Sequence, residues 1–431
     1  MRHCLKLTVL PTVLFGLAAC GQSGATTAVD TQIMTSGVAE ASPSLQASVP
    51  GGSDWPQFRG PKGDGLSPEK GINKNWSAKP PKLLWTAPMH DDGYAGPSCA
   101  DGMVFIIDHE GSQDVVRAIS LATGKDKWTY RYDSPAGNNY GYSRATPAFS
   151  EGKLYTISQL GLVNCLDAKT GKLIWSRNVQ ADFGGQKPGW DYAGSPLVDG
   201  NKVILTPGGQ NAGMVALDKN TGKTIWQGGS SAVPSYSTPN VATINGVKQY
   251  VVMYAKGVMG VDASNGKLLW YARWETSYDV NAADPIVIGS SVFVTSGYGH
   301  GCALFDITGS TATKRWENKA IQAQFASSVY SGGYVYGTGD PGLLTCLNPK
   351  DGTVVWSQRG FEKGGAIGVD GTLIALDGAG NVIMCEMSPA GYKELGRLKA
   401  PLGGQSWTAP IVAQGKLIIR NKNQIACIDL R

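Results

Sequence analysis

Residues 165–175 read CLDAKTGKLIW. A small residue starts the stretch, Asp167 follows two places on, Thr170-Gly171 makes the turn, and Trp175 ends it. The same spacing returns as AISLATGKDKW (118–128), ALDKNTGKTIW (216–226), GVDASNGKLLW (260–270) and CLNPKDGTVVW (346–356). Leu304 to Trp316 carries a two-residue insertion, and Cys385 to Leu395 keeps the spacing but ends in Leu. A last copy begins at Cys427-Ile-Asp429 and stops at Arg431. Each copy reads as strand, turn, strand. The Asp can accept from turn amides, and Gly supplies the positive φ that the turn needs. One indole per copy can then pack against a neighbouring copy.

Upstream of each copy lie two further strand-like pieces around a tight turn. Examples are SPLVDGNKVILT from Ser195, DPIVIGSSVFVTS from Asp284 and APIVAQGKLIIR from Ala409. Four short strands per repeat make one blade of a β-propeller. Closing strands end at Trp128, Trp175, Trp226, Trp270, Trp316, Trp356 and Leu395. An eighth set, from Ser406 to Arg431, has three strands only. Lys82-Leu-Leu-Trp85 is an orphan copy of the closing piece. The expectation is an all-β fold: an eight-bladed propeller in which the N-terminal strand completes the last blade.

Composition agrees. Gly accounts for 58 of 431 residues, Trp for 12, and charged residues for only 16%. These values exclude a disordered chain and a helical array. Residues 1–19 read as a signal peptide, with Arg2 and Lys6 before a short apolar run. Leu17-Ala-Ala-Cys20 resembles the bacterial lipoprotein signal, which implies Cys20 as the lipidated first residue of the exported chain. Gly21 in place of Asp leans toward the outer membrane, facing the periplasm. Residues 20–53 read as a tether with no aromatic residue, 54–81 as a lead-in, and 82–431 as the propeller. A formal charge of +5, of which Arg2 and Lys6 supply two, is too small to argue for nucleic acid. A single propeller is expected to be monomeric.

The repeat resembles the tryptophan-docking motif of PQQ-like, quinoprotein-type propellers. Asp54-Trp55-Pro56-Gln57-Phe58-Arg59-Gly60-Pro61 looks like the opening of many bacterial members. Eight such blades behind a lipoprotein signal also resemble the BamB-type propellers of outer-membrane β-barrel assembly, which are non-catalytic scaffolds. The dehydrogenase branch implies PQQ with calcium. Its members share a vicinal Cys-Cys disulfide, a Trp floor, and Glu and Asn holding calcium beside an Asp. No two cysteines are adjacent here, and no such Glu–Asn–Asp set is visible. The reading is therefore a lipid-anchored binding or scaffold module of the cell envelope, without cofactor or metal. Its partner would be another envelope protein or an extracellular polymer. The alternative is a PQQ-dependent alcohol or sugar dehydrogenase.

In a propeller the loops entering the first strands gather at one mouth. Here they carry Tyr94, Tyr140, Tyr142, Arg144, Trp190, Asp191, Tyr192, Tyr236, Tyr278, Asn281, Phe325, Lys363, Gln405 and Trp407. These are the candidate ligand- or partner-binding residues; Asp191 and Asp279 are the only acids there that could act as a glycosidase pair. Trp85, Trp128, Trp175, Trp226, Trp270, Trp316 and Trp356 are assigned to structural docking. His90, His109 and His300 have no metal-pair spacing. Asp377-Gly-Ala-Gly-Asn381 reads as a hairpin turn in preference to a calcium loop. Cys165, Cys346, Cys385 and Cys427 share one repeat position, where the thiol reads as a small buried group.

Overall fold

The computed structural model describes residues 52–431. Residues 1–19, Cys20 and the tether as far as residue 51 lie outside the described residues. The repeat motif builds its turn as its residues dictate. Asp167 Oδ1 accepts from the amides of Lys169 (3.1 Å) and Thr170 (2.8 Å) and from the Thr170 hydroxyl (2.7 Å). Those bonds, the Thr170 hydroxyl foremost, hold the Asp167 carboxyl below its ordinary pKa. Gly171 follows with φ +74°.

Each closing Trp then sits opposite the residue that opens its motif, small in every blade but the fifth, as Trp175 does opposite Cys165. The indole continues past its own sheet onto the next blade. Trp175 Nε1 donates to Lys219 O (3.0 Å), and its ring covers Gly222, where a Cβ would lie 2.8 Å from Cδ2. Trp85 does the same on Leu121 and Gly124, Trp128 on Ala168 and Gly171, and Trp316 on Pro349 and Gly352. Trp270 departs from this. Its Nε1 donates to Gln249 Oε1 of its own blade (2.6 Å), and the next blade is the one with the longer turn. Leu395 has no indole, and Trp76 from the lead-in packs on the neighbouring Gly396 instead.

The strands form eight sheets, numbered as blades in chain order from their inner strands: Ser98–Ala100, Ala148–Ser150, Leu197–Asp199, Asn240–Ile244, Ile286–Ile288, Val329–Ser331, Ala366–Val369 and Ile411–Ala413. Blade 1 holds Ser98–Ala100, Met103–Glu110, Gln113–Ser120 and Asp126–Asp133. Blade 8 holds Ile411–Ala413, Lys416–Arg420 and Gln424–Asp429, and Lys82–Pro88 is its fourth strand. Trp85 faces Cys427 across that last pairing. Blade 7 gains a fifth strand: Leu66–Ser67 pairs parallel with Ala366–Val369 on its inner edge. Apolar clusters lie between neighbours. One joins blades 1 and 2, another blades 2 and 3, and the largest joins blades 7, 8 and 1 with Trp55, Ile72 and Trp76 of the lead-in. Burial of these faces is what holds one blade to the next.

The inner strands add a belt around the channel. Four of them open Thr146-Pro, Ser195-Pro, Thr238-Pro and Asp284-Pro. The amide of each donates to a side-chain oxygen one blade on: Thr146 to Ser195 (2.9 Å), Ser195 to Thr238 (3.0 Å), Thr238 to Asp284 (2.8 Å) and Asp284 to Ser327 (2.9 Å). Proline next in sequence keeps each donor extended. The lead-in crosses below this belt. Trp55 bridges to Cys99, Pro56 O accepts from Phe149, and Gly65 O from Gly368. Arg59 reaches Ser328 O at 2.7 Å and lies 3.9 Å from the Asp284 carboxylate. Desolvation by burial pushes the Asp284 carboxyl up to about 7, against the pull of Arg59.

Candidate functional site

A cavity of about 170 Å³ opens at the mouth. Loops entering six blades supply Tyr94, Tyr140, Arg144, Trp190, Tyr236, Phe325 and Trp407, with blade 5 adding Val280 and Ala282. On one side Trp407 lies between Tyr94 (ring centres 5.2 Å apart, planes at 21°) and Phe325 (5.3 Å). Lys363 Nζ stands 5.6 Å from the centre of the Trp407 ring. On the other side Trp190 meets the edges of Tyr140 and Tyr278, each at 6.2 Å, and tilts against Tyr236. The Tyr236 hydroxyl accepts from Trp190 N at 3.1 Å.

Arg144 is the charged group in the lining. It donates to Trp190 O and to Asn138 Oδ1 (3.2 Å), with Tyr142 O and Asp191 O at 3.5 Å. All four acceptors are neutral. Burial lowers its pKa, and the nearby Asp191 works against that shift. The Asp191 carboxylate itself is held by Lys187 and by Asn138 Nδ2 (2.8 Å). Burial raises the pKa of Tyr236, and that of Tyr298 to about 12, so both phenols stay neutral near pH 7.

Several mouth residues take other places. Tyr192 is buried, and its hydroxyl donates to Pro207 O at 2.7 Å. Asn281 is buried, donates to Tyr254 O (2.8 Å) and accepts from Ser296 (2.7 Å), so it ties loops together behind the cavity wall. Tyr142 stacks on His109, whose ring nitrogens meet Asp114 and Gly111 O. Tyr278 is 72% exposed on the rim. Asp279 pairs with Lys256 at 2.7 Å, and Gln405 is exposed beside the mouth.

The sequence reading missed Phe58, Tyr298, Gln324, Ser195 and Thr238. Phe58 belongs to the lead-in and lines both this cavity and a smaller one of about 40 Å³ below it, so it forms the floor. Tyr298 lies between the second and third strands of blade 5 and accepts from Gln324 at 2.7 Å. Such loops open on the same face as those entering the first strands, and that was the available signal. Ser195 and Thr238 are the belt hydroxyls beneath the rings.

The lining does not fit a calcium-held quinone of the kind the resemblance implies. No carboxylate lines the cavity. Among the described residues no three His, Cys, Asp or Glu side chains group as a metal cage. The volume is also close to that of a cavity of roughly 150 Å³ known to hold a single benzene ring. Asp377 Oδ1 accepts from the amides of Ala379 (3.0 Å) and Asn381 (2.9 Å), as a turn residue does. The six cysteines of the described residues are free and buried.

A family model described as outer membrane protein assembly factor BamB matches residues 134–358. Curated relatives divide between functions. The chain is 30% identical to BamB of Salmonella typhimurium over 27% of its own length and 31% of that protein's. It is 32% identical to the quinohemoprotein alcohol dehydrogenase of Comamonas testosteroni over 31% of itself and 19% of that enzyme. It is 27% identical to tetrathionate hydrolase of Acidithiobacillus ferrooxidans over 57% of itself and 39% of that enzyme. The matches thus span between a fifth and two fifths of these relatives' lengths. Among solved structures, BamB of Moraxella catarrhalis superposes with a TM-score of 0.59 at 17% identity, covering 81% of this chain and 98% of that one. The Comamonas testosteroni dehydrogenase superposes with 0.64 at 15% identity, covering 90% and 82%. At such identities the superpositions speak to fold alone. With its docking tryptophans, its eight sheets and a family model matched over more than half its length, the chain belongs to the PQQ-like β-propeller repeat family.

Proposed function

We propose that this propeller is a non-catalytic binding module of the cell envelope, whose mouth seats one ring of a partner or polymer. The observation that carries the reading is a single-ring cavity walled by aromatic side chains and lined by no carboxylate. Such a wall binds by stacking and shape, and offers no carboxylate to serve as general acid, general base or metal ligand. BamB relatives favour an envelope location and a scaffold role, with other envelope proteins as partners. Among the described residues no helix is long and apolar enough to cross a membrane. Lipidation at Cys20 would supply the anchor, and mass spectrometry of the purified chain tests it.

Titration of tryptophan fluorescence against candidate ligands tests the binding reading. Trp407→Ala should weaken a true mouth ligand by about 1–3 kcal/mol, as loss of a stacked aromatic contact does. The similarity to quinohemoprotein dehydrogenases favours the second reading. Reconstitution with PQQ and calcium followed by dye-linked alcohol or sugar oxidation decides between the two. Sustained turnover would overturn the non-catalytic reading.

A further inference from the structure

We propose that the ring seated at the mouth is an anionic sugar, a uronic acid residue of an acidic polysaccharide, with its carboxylate on Arg144. The proposal rests on the reading of the mouth as a single-ring binding site. Its first ground is charge. Arg144 is set into the cavity wall among aromatic rings, and its hydrogen-bond acceptors are carbonyl and amide oxygens only. The nearest acid, Asp191, has its carboxylate taken by Lys187 and Asn138. A guanidinium held in a low-dielectric wall with no carboxylate bonded to it, and only the shared charge of Asp191 nearby, is costly, and a ligand carboxylate relieves that cost with charge-assisted bonds.

The second ground is the distribution of hydroxyls. Ser195 and Thr238 each use their oxygen to accept a backbone amide, and the Tyr236 oxygen accepts from Trp190. Each hydroxyl can still donate its hydrogen. A pyranose presents C–H faces to aromatic walls and hydroxyl acceptors at its edge, so it serves both sets of groups. A plain aromatic acid would serve the walls and Arg144 but leave those donors unmatched. The third ground is the rim. Lys363 stands over Trp407 and takes part in no ion pair within 4 Å among the described residues, so the rim offers a second cation to an acidic chain leaving the cavity.

The test is isothermal titration of the full chain with trimers of galacturonate, mannuronate and glucuronate, each against its methyl-esterified, uncharged form. At least one acid trimer should bind, and its ester should bind about 10- to 100-fold more weakly, the range for losing charge-assisted hydrogen bonds. Arg144→Gln should lose the preference for acid over ester, and Arg144→Lys should retain part of it. Lys363→Gln, on the rim where folding is not at stake, should weaken the trimer more than the monomer. Equal binding of acid and ester, or an unchanged preference in folded Arg144→Gln, would overturn the acidic-sugar proposal and leave the binding-module reading standing. Binding of none of the sugars would overturn the proposal outright. If PQQ with calcium gave turnover as well, the module reading would fall with it.

Discussion

Gly171 carries two constraints at once. Its φ is +74°, and a Cβ there would lie 2.5 Å from the Trp128 ring of the preceding blade. Gly171→Ala should therefore destabilise the fold by about 1–3 kcal/mol, read as a lower midpoint in denaturant unfolding. Both constraints were legible because Asp, Gly and Trp recur at fixed local spacing. The belt was not. The partners Ser195 and Thr238 lie 43 positions apart, and nothing local marks Thr-Pro or Asp-Pro as a donor to the next blade. Asp284 gives the belt its acidic member. Its folded pKa of about 7 stands above the roughly 3.9 of an unfolded Asp. The folded state thus keeps a proton that the unfolded chain gives up across that interval, and stability falls as pH rises through it. Thermal melts from pH 4 to 8 should show this decline in the natural chain, and Asp284→Asn should flatten it.

At the level of strands, the last blade is the vulnerable one. Lys82–Pro88 covers Gln424–Asp429, and Trp85 covers Gly124 of blade 1. A chain starting at residue 87 should melt at least about 10 °C below one starting at residue 52, or lose its cooperative transition. Equal melting would contradict the role given to this strand. The orphan Lys-Leu-Leu-Trp made that pairing readable, because it copies the closing piece of other blades. Nothing comparable announced the route of the lead-in. Leu66–Ser67 is too short to show a period, and its parallel partner lies some 300 residues away. Phe58 consequently looked like part of an opening motif, whereas it is the floor of the mouth cavity. Phe58→Ala should join the two axial cavities and weaken any ligand of the upper one, which parallel titrations would measure.

Across the whole molecule, the place of the mouth cavity was readable and its lining only partly so. Propeller geometry sends the loops entering each first strand to one mouth, which located Tyr94, Arg144, Trp190, Tyr236 and Trp407. Which way a loop side chain turns depends on its neighbours across the ring, so Tyr192 and Asn281 could not be told apart from the lining residues. The buried cysteines make a global probe. Burial pushes Cys165, Cys302, Cys385 and Cys427 up to about 12. The six thiols between residues 52 and 431 should resist aromatic disulfide reagents in the native state and all react once unfolded. Fewer than six after unfolding would mean that some had paired.

The pairing of Trp85 with Cys427 also sets a clock. During synthesis the early strand emerges hundreds of residues before its sheet partner exists. Until then the nascent chain holds an unmatched edge, and blade 1 lacks the indole that covers its turn. The native ring can form only after Gln424–Asp429 has been synthesised. Such distant pairing slows folding and lengthens the interval in which intermediates are exposed to proteases and to one another. The topology itself therefore delays completion of the ring until the strands of the eighth blade have arrived.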